Sequence, residues 1–281
     1  MRLLGGRSHG KMPGMVAVLR RLAGLAGVAL TAVGCKASVP DDHTSLVRSP
    51  GPNPGKPTRP LSMVWLHHST GDRLLRGGLL DAIRDDGVAF HDINYGEAVV
   101  DGYVIGDHTD VDDWPKTFNS PKLFETVKHW ELNGAKRNHD IVMFKSCYPN
   151  SNIKSEAQFQ EYKQYFTSLL PTFKANPEVT FIAMSTPPLV KRNTTPEAAS
   201  RARQWARWLT TEYAPGVKNV KVFDLFEALA IAEGKPDSNT LVPQFASGRG
   251  DSHPSPEGAR AVTRMFIPWL NRTAREAGIS D

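Results

Sequence analysis

Cysteine is scarce in this chain of 281 residues, with only Cys35 and Cys147 present. They allow one disulfide at most, and none if Cys35 is otherwise engaged, so the fold must be held by its core. Long apolar runs are missing as well. The longest, Leu22 to Val33, falls well short of the roughly 20 residues a bilayer-spanning helix needs. No internal repeat is visible, which speaks against a solenoid or other repeat architecture. Net positive charge is absent from the part that would fold. The formal charge of +5 is carried by Arg2, Arg7, Lys11, Arg20 and Arg21, and no acid precedes Cys35. The remainder is neutral, which gives no support to a nucleic-acid partner.

What is present begins with an address. From Met15 the chain reads MVAVLRRLAGLAGVALTAVGC. Arg20 and Arg21 form a positive region, a short apolar run follows, and small residues precede Cys35. This is the order of an export signal. The segment resembles a bacterial lipobox, with Ala32 where leucine is usual. The resemblance implies lipidation at Cys35 and an extracytoplasmic, lipid-anchored protein; a plain secretory signal is the alternative. Residues 1–14 add nothing such a signal needs. Residues 36–60 are rich in proline and poor in apolar side chains, and are expected to be a disordered tether. Residues 61–281 are then expected to form one domain.

Within that domain strands and helices alternate. Ser62–His67, Val88–Ile93, Asp140–Phe144, Val179–Met184 and Val220–Leu225 read as strands, the third and fourth as continuous buried runs. Helices are expected near Arg73–Asp85, at Pro121–Lys136, Glu156–Asn176 and Thr195–Tyr213, and from Pro256 to Asn271. A long Gly- and Asp-rich loop is expected at 94–120. The alternation predicts an α/β fold, a three-layer α/β/α sandwich on a mostly parallel five-stranded sheet. Sites in such sheets lie beyond the carboxyl ends of the strands.

Three strand ends carry chemistry. The first reads His67-His68-Ser69-Thr70-Gly71, with a serine on the turn into a helix. The third reads Lys145-Ser146-Cys147-Tyr148-Pro149-Asn150-Ser151-Asn152 and offers amide donors. Gly250-Asp251-Ser252-His253-Pro254 precedes the last helix, where a histidine could take a serine proton with a carboxylate to orient it.

With these residues the chain resembles the SGNH (GDSL-like) hydrolase superfamily, and the order of elements extends the resemblance over 61–271. It implies an SGNH/flavodoxin-like fold and a serine esterase without a cofactor. Ser69 would be the nucleophile, His253 the base and Asp251 its orienting acid. The oxyanion would be held by the N–H groups of Ser69 and Gly96 and by the side chain of Asn150 or Asn152. The serine sits in His-His-Ser-Thr-Gly rather than Gly-Asp-Ser. The acid sits two before the histidine rather than three, at which place Gly250 stands; a Ser-His dyad is the alternative. The implied substrate is an acyl ester, with O-acetyl groups on extracytoplasmic glycans favoured by the address.

Two other readings of the same residues stay open. A cell-envelope binding lipoprotein could keep the scaffold without turnover. A metal-dependent hydrolase could use the His/Asp loop at 91–113 with His67 and His68, although no ligand spacing there matches a known motif, and no metal is expected. Tyr103, Trp114 and Phe118 could stack on a sugar or pack the loop down. Cys147 reads as an inert buried thiol.

Overall fold

The computed structural model describes residues 50–281; the expectations placed on residues 1–49, Cys35 included, lie outside them. Five strands form one sheet: β1 (Leu61–Leu66), β2 (Val88–Ile93), β3 (Ile141–Lys145), β4 (Thr180–Met184) and β5 (Val220–Phe223). All pairings are parallel, in the order β2-β1-β3-β4-β5. β1, β3 and β4 are buried along their whole length, whereas the edge strands β2 and β5 are partly exposed in the middle. Central parallel strands are covered on both faces, which is why their sequences are apolar without alternation.

Alternate side chains of these strands supply two separate cores. Met63, Trp65, Ile141 and Met143 pack with the helices Ser69–Leu74 and Pro256–Glu276. Val64, Leu66, Val142 and Phe144 pack on the other face with Glu156–Thr167 and Pro196–Trp208. The chain is thus an α/β/α sandwich with a flavodoxin-like strand order. Among the described residues no helix is long and apolar enough to cross a membrane.

Several local expectations change, the helix expected over Glu156–Asn176 among them, which is split into Glu156–Thr167 and Leu170–Lys174. The helix expected through Lys136 stops at Lys128, and residues His129–Leu132 and Ala135–Asn138 form a hairpin. Its two-residue turn is Asn133-Gly134, both at positive φ (52° and 75°), the backbone a tight hairpin turn demands. The helix after β1 is not continuous. It runs Ser69–Leu74, opens into a wider turn at Leu75–Leu79, where Gly78 sits at φ 108°, and resumes at Leu80–Asp85. The segment 94–120 holds a short hairpin (Val99–Val100 with Tyr103–Val104) and a helix, Trp114–Asn119. Trp114 and Phe118 are fully buried in the core and cannot stack on a sugar. The end of the expected tether is also bound to the domain. Thr58 N–H donates to Ser280 Oγ (3.1 Å), and Arg272 and Arg275 donate to the carbonyls of Pro52 (2.7 Å) and Gly55 (3.2 Å).

One histidine pair, buried at its His139 end, gives the fold an acid-sensitive joint. His139 Nδ1 donates to the Val127 carbonyl (3.1 Å), which leaves its Nε2 to accept from His91 Nδ1 at 2.7 Å. Burial first, then the neighbouring His91, lowers the His139 pKa from 6.5 to about 4. The unfolded chain therefore takes up a proton that the folded ring refuses. Stability from this group is complete above pH 6.5 and is lost as pH falls toward 4, by an amount on the order of 3 kcal/mol. Urea unfolding at neutral pH and near pH 4.5 should show this loss. His139→Gln, which keeps a donor and an acceptor, should flatten the acid limb.

Candidate active site

The site is assembled where β1 and β3 end and the last helix begins. His67, fully buried, follows β1, and its main-chain N–H donates to the Ile93 carbonyl at the end of β2 (3.1 Å). Its ring lies directly under Gly71, where a methyl group would overlap it. This close approach lets the chain turn at once from strand into helix, so Ser69 is the first helical residue. Its N–H has no acceptor within the helix. His67 Nε2 also stands 2.8 Å from Asp92 Oδ1. Burial raises the Asp92 pKa, but the contact with His67 outweighs it and the carboxyl lies below its usual range.

Ser69 Oγ donates to His253 Nε2 at 2.7 Å. On the far side of the ring, His253 Nδ1 donates to Asp251 Oδ1 at 2.6 Å. The same carboxylate oxygen accepts the main-chain N–H of His253 at 2.9 Å. The two-residue spacing closes because Asp251–Pro254 is a strand, paired with Ala246–Gly248. Residues i and i+2 of a strand share a face, so acid and base stand side by side. Burial raises the Asp251 pKa, yet the bonds from His253 prevail and hold it below the ordinary carboxylate range. An ionised acceptor at Nδ1 fixes the tautomer that leaves Nε2 free to receive the serine proton.

Ser252 turns the other way and is buried. Its Oγ accepts from Val190 N–H (3.1 Å) and from Asn193 Nδ2 (3.3 Å), and Asn193 Nδ2 also donates to the Gly250 carbonyl (2.9 Å). The Asp-Ser-His strand is thereby fixed to the segment after β4. Tyr148 stands edge-on to the His253 ring, with centroids 4.8 Å apart. Neither Asn193 nor Tyr148 carried a signal in the sequence, because each acts on a partner far away in the chain.

The candidate oxyanion donors are differently engaged. Gly96 N–H donates to Asp107 Oδ1 at 2.8 Å. Asn150 is buried and holds the 110–111 turn: its Oδ1 accepts from Val111 N–H (3.1 Å) and its Nδ2 donates to Asp110 Oδ1 (2.6 Å). That leaves the second N–H of its amide. The Asn152 side chain, partly exposed, lines a cavity beside Tyr148.

Cys147 is more than a packed thiol. Its Sγ lies 3.4 Å from Ser69 Oγ and 3.2 Å from Thr70 Oγ1. Lys145, 1% exposed, ends β3 just before it and donates to the Ser146 carbonyl at 3.0 Å. Burial lowers the Lys145 pKa. Burial raises that of Cys147, but the Lys145 charge and the hydrogen bonding at its sulfur, that from Thr70 included, bring it below the usual thiol range. The sequence shows Lys145 as a charge at a strand end; only the packing shows that it stays inside.

The histidines and acids of the 91–113 loop are spread over separate contacts. His68 Nε2 donates to the Gly106 carbonyl (2.8 Å) while its ring stacks on Tyr95 (4.2 Å). His108 faces Asp113 at 3.4 Å, and Asp107 and Asp110 are taken up by Gly96 and Asn150. Among the described residues no three His, Cys, Asp or Glu side chains converge as a metal would require.

No family model and no curated protein matches the chain. Several solved structures are similar to it. A protein of Bacteroides fragilis assigned as an acylhydrolase aligns over 78% of this chain and 91% of its own, at 15% identity and a TM-score of 0.47. A gut microbial diltiazem-metabolizing enzyme aligns over 75% of this chain and 47% of its own, at 16% identity and a TM-score of 0.49. A family two carbohydrate esterase from Clostridium thermocellum aligns over 76% and 64%, at 12% identity and a TM-score of 0.42. These are likenesses of fold.

Proposed function

We propose that the chain is a serine ester hydrolase of the SGNH type. The observation that carries this reading is the unbroken line of hydrogen bonds from Asp251 through His253 to Ser69, at 2.6 and 2.7 Å. Ser69 Oγ attacks the ester carbonyl while its proton passes to His253 Nε2. The carbonyl oxygen becomes an oxyanion facing the Ser69 N–H and the second amide N–H of Asn150. Gly96 joins them only if Asp107 releases its N–H, and Asn152 is the alternative to Asn150 as the side-chain donor. The tetrahedral adduct collapses, the C–O bond to the alcohol breaks, and His253 returns the proton to the leaving oxygen. Water, deprotonated by the same histidine, then frees the acid from Ser69.

The substrate class we favour is an O-acylated carbohydrate outside the cytoplasm. This choice rests on the expectation of an export signal and of lipidation at Cys35, which would hold the enzyme at a membrane surface. A fluorophosphonate probe tests the chemistry directly: the reading requires an adduct on Ser69 and hydrolysis of p-nitrophenyl acetate. A protein that folds but shows neither is a binding module on the same scaffold.

A further inference from the structure

A groove leads away from the catalytic histidine and carries charge of one sign. Its near half, a cavity of about 550 Å³, starts at Tyr148, the residue edge-on to His253. Its far half, about 360 Å³, shares Asn152, Lys154 and Asn193 with the first and reaches Arg192 and Arg201. Asn193 joins the groove to the catalytic strand through its bonds to Gly250 and Ser252. No carboxylate lines either half, while three cations do.

These cations differ from others nearby. Lys191, Arg203 and Arg207 are paired with Asp237, Glu227 and Glu233. The ammonium of Lys154 and the guanidinium of Arg192 are exposed and form no ion pair among the described residues. Arg201 is held in place, its Nε and Nη2 donating to the carbonyls of Ile153 (2.7 Å) and Lys154 (2.8 Å). It therefore fixes the main chain from which Lys154 projects. The helix Pro196–Trp208, capped by Thr195, begins on the same wall; Glu197 in its first turn answers the charge of that terminus and of Arg201, so neither counts toward the excess. Asp251, the acid at the catalytic end, is committed to His253. A concave surface on which Lys154 and Arg192 stand without an ion partner concentrates anions, and a guanidinium fork matches a carboxylate or a phosphate.

We infer that this groove binds an anionic group, a carboxylate or a phosphate, on the alcohol side of the ester, with Lys154 and Arg192 as the residues that select it. The inference rests on the esterase reading for the position of the ester but not for the binding of the anion.

The two can be tested apart. Binding is measured by calorimetry on the full chain carrying Ser69→Ala, so that no ligand is consumed. The ligands are acetylated oligogalacturonate, acetylglycerol phosphate and, as the neutral reference, acetylated xylo-oligosaccharide. At least one anionic ligand should bind about tenfold tighter than the neutral one at low salt, and the advantage should fade as salt shortens the reach of the charges. Which of the two binds tighter identifies carboxylate or phosphate as the group. Arg192→Ala and Lys154→Ala should each shrink the anionic-to-neutral ratio several-fold, and together bring it near one. Equal affinity for all three ligands, or a ratio untouched by both substitutions, overturns the inference. If the anion is selected but the unmodified protein hydrolyses neither its ester nor p-nitrophenyl acetate, the esterase reading fails while the groove stands.

Discussion

Replacing Ser69 by alanine is expected to lower kcat for p-nitrophenyl acetate by about a thousandfold or more while the fold survives. The substitution removes a single oxygen from a residue whose side chain has two near neighbours, His253 Nε2 at 2.7 Å and Cys147 Sγ at 3.4 Å. Neither contact holds a strand or helix in place, so circular dichroism and the urea midpoint should hardly move. His253→Ala should cost about as much, and the double variant little more than either alone, because a nucleophile without its base and a base without its nucleophile are equally idle. Losses that multiply would mean that the two residues act in separate steps. Full activity in Ser69→Ala would sink the mechanism outright.

Asp251→Asn should come next, with a loss in kcat of about 10²- to 10⁴-fold. The damage is one of tautomer. An amide can turn its NH₂ toward His253 Nδ1, which makes that nitrogen an acceptor and places the hydrogen on Nε2, where the serine proton must go. Asp251→Ala should be the milder change, because the Asp251 side chain is 40% exposed and water can take its place at Nδ1. The order Asn worse than Ala thus separates a residue that sets the proton from one that only holds a loop. A Ser-His dyad would leave both variants near the parent rate.

The expected and observed elements agree where the signal is local. β2 is read off at its full extent, because Val88–Ile93 is bounded by Gly87 and by the polar Asn94. The last helix is announced by Ser255 and Pro256, a cap and a proline at the first position. Disagreement arises where local signals compete. Leu123, Val127 and Trp130 continue a helical spacing past Lys128, but Asn133-Gly134 favours a tight turn, and His129–Leu132 pairs with Ala135–Asn138 instead. Trp114 and Phe118 lie in a polar stretch whose composition says loop, yet they fill the core beside Phe144 and Phe173. Their burial is decided by space between β3 and its covering helices, which no window of sequence contains.

For the site the division is similar. Ser69 and His253 lie 184 positions apart, and what could be read from the chain was that each follows or precedes the right element. Hydrophobic period and turn residues act within a few positions, so the sequence by itself determined the alternation of strands and helices, the parallel sheet this implies and the strand ends at which chemistry could gather. Only the tertiary structure decided that Asp251 and His253 share one face of a strand, that Asp107 occupies the Gly96 N–H, that Lys145 is enclosed beside Cys147 and Ser69, and that Lys154 and Arg192 border one groove. The first two rest on hairpin and loop pairings that composition does not reveal; the last two depend on contacts between segments far apart in the chain and on which charges the packing leaves without a partner.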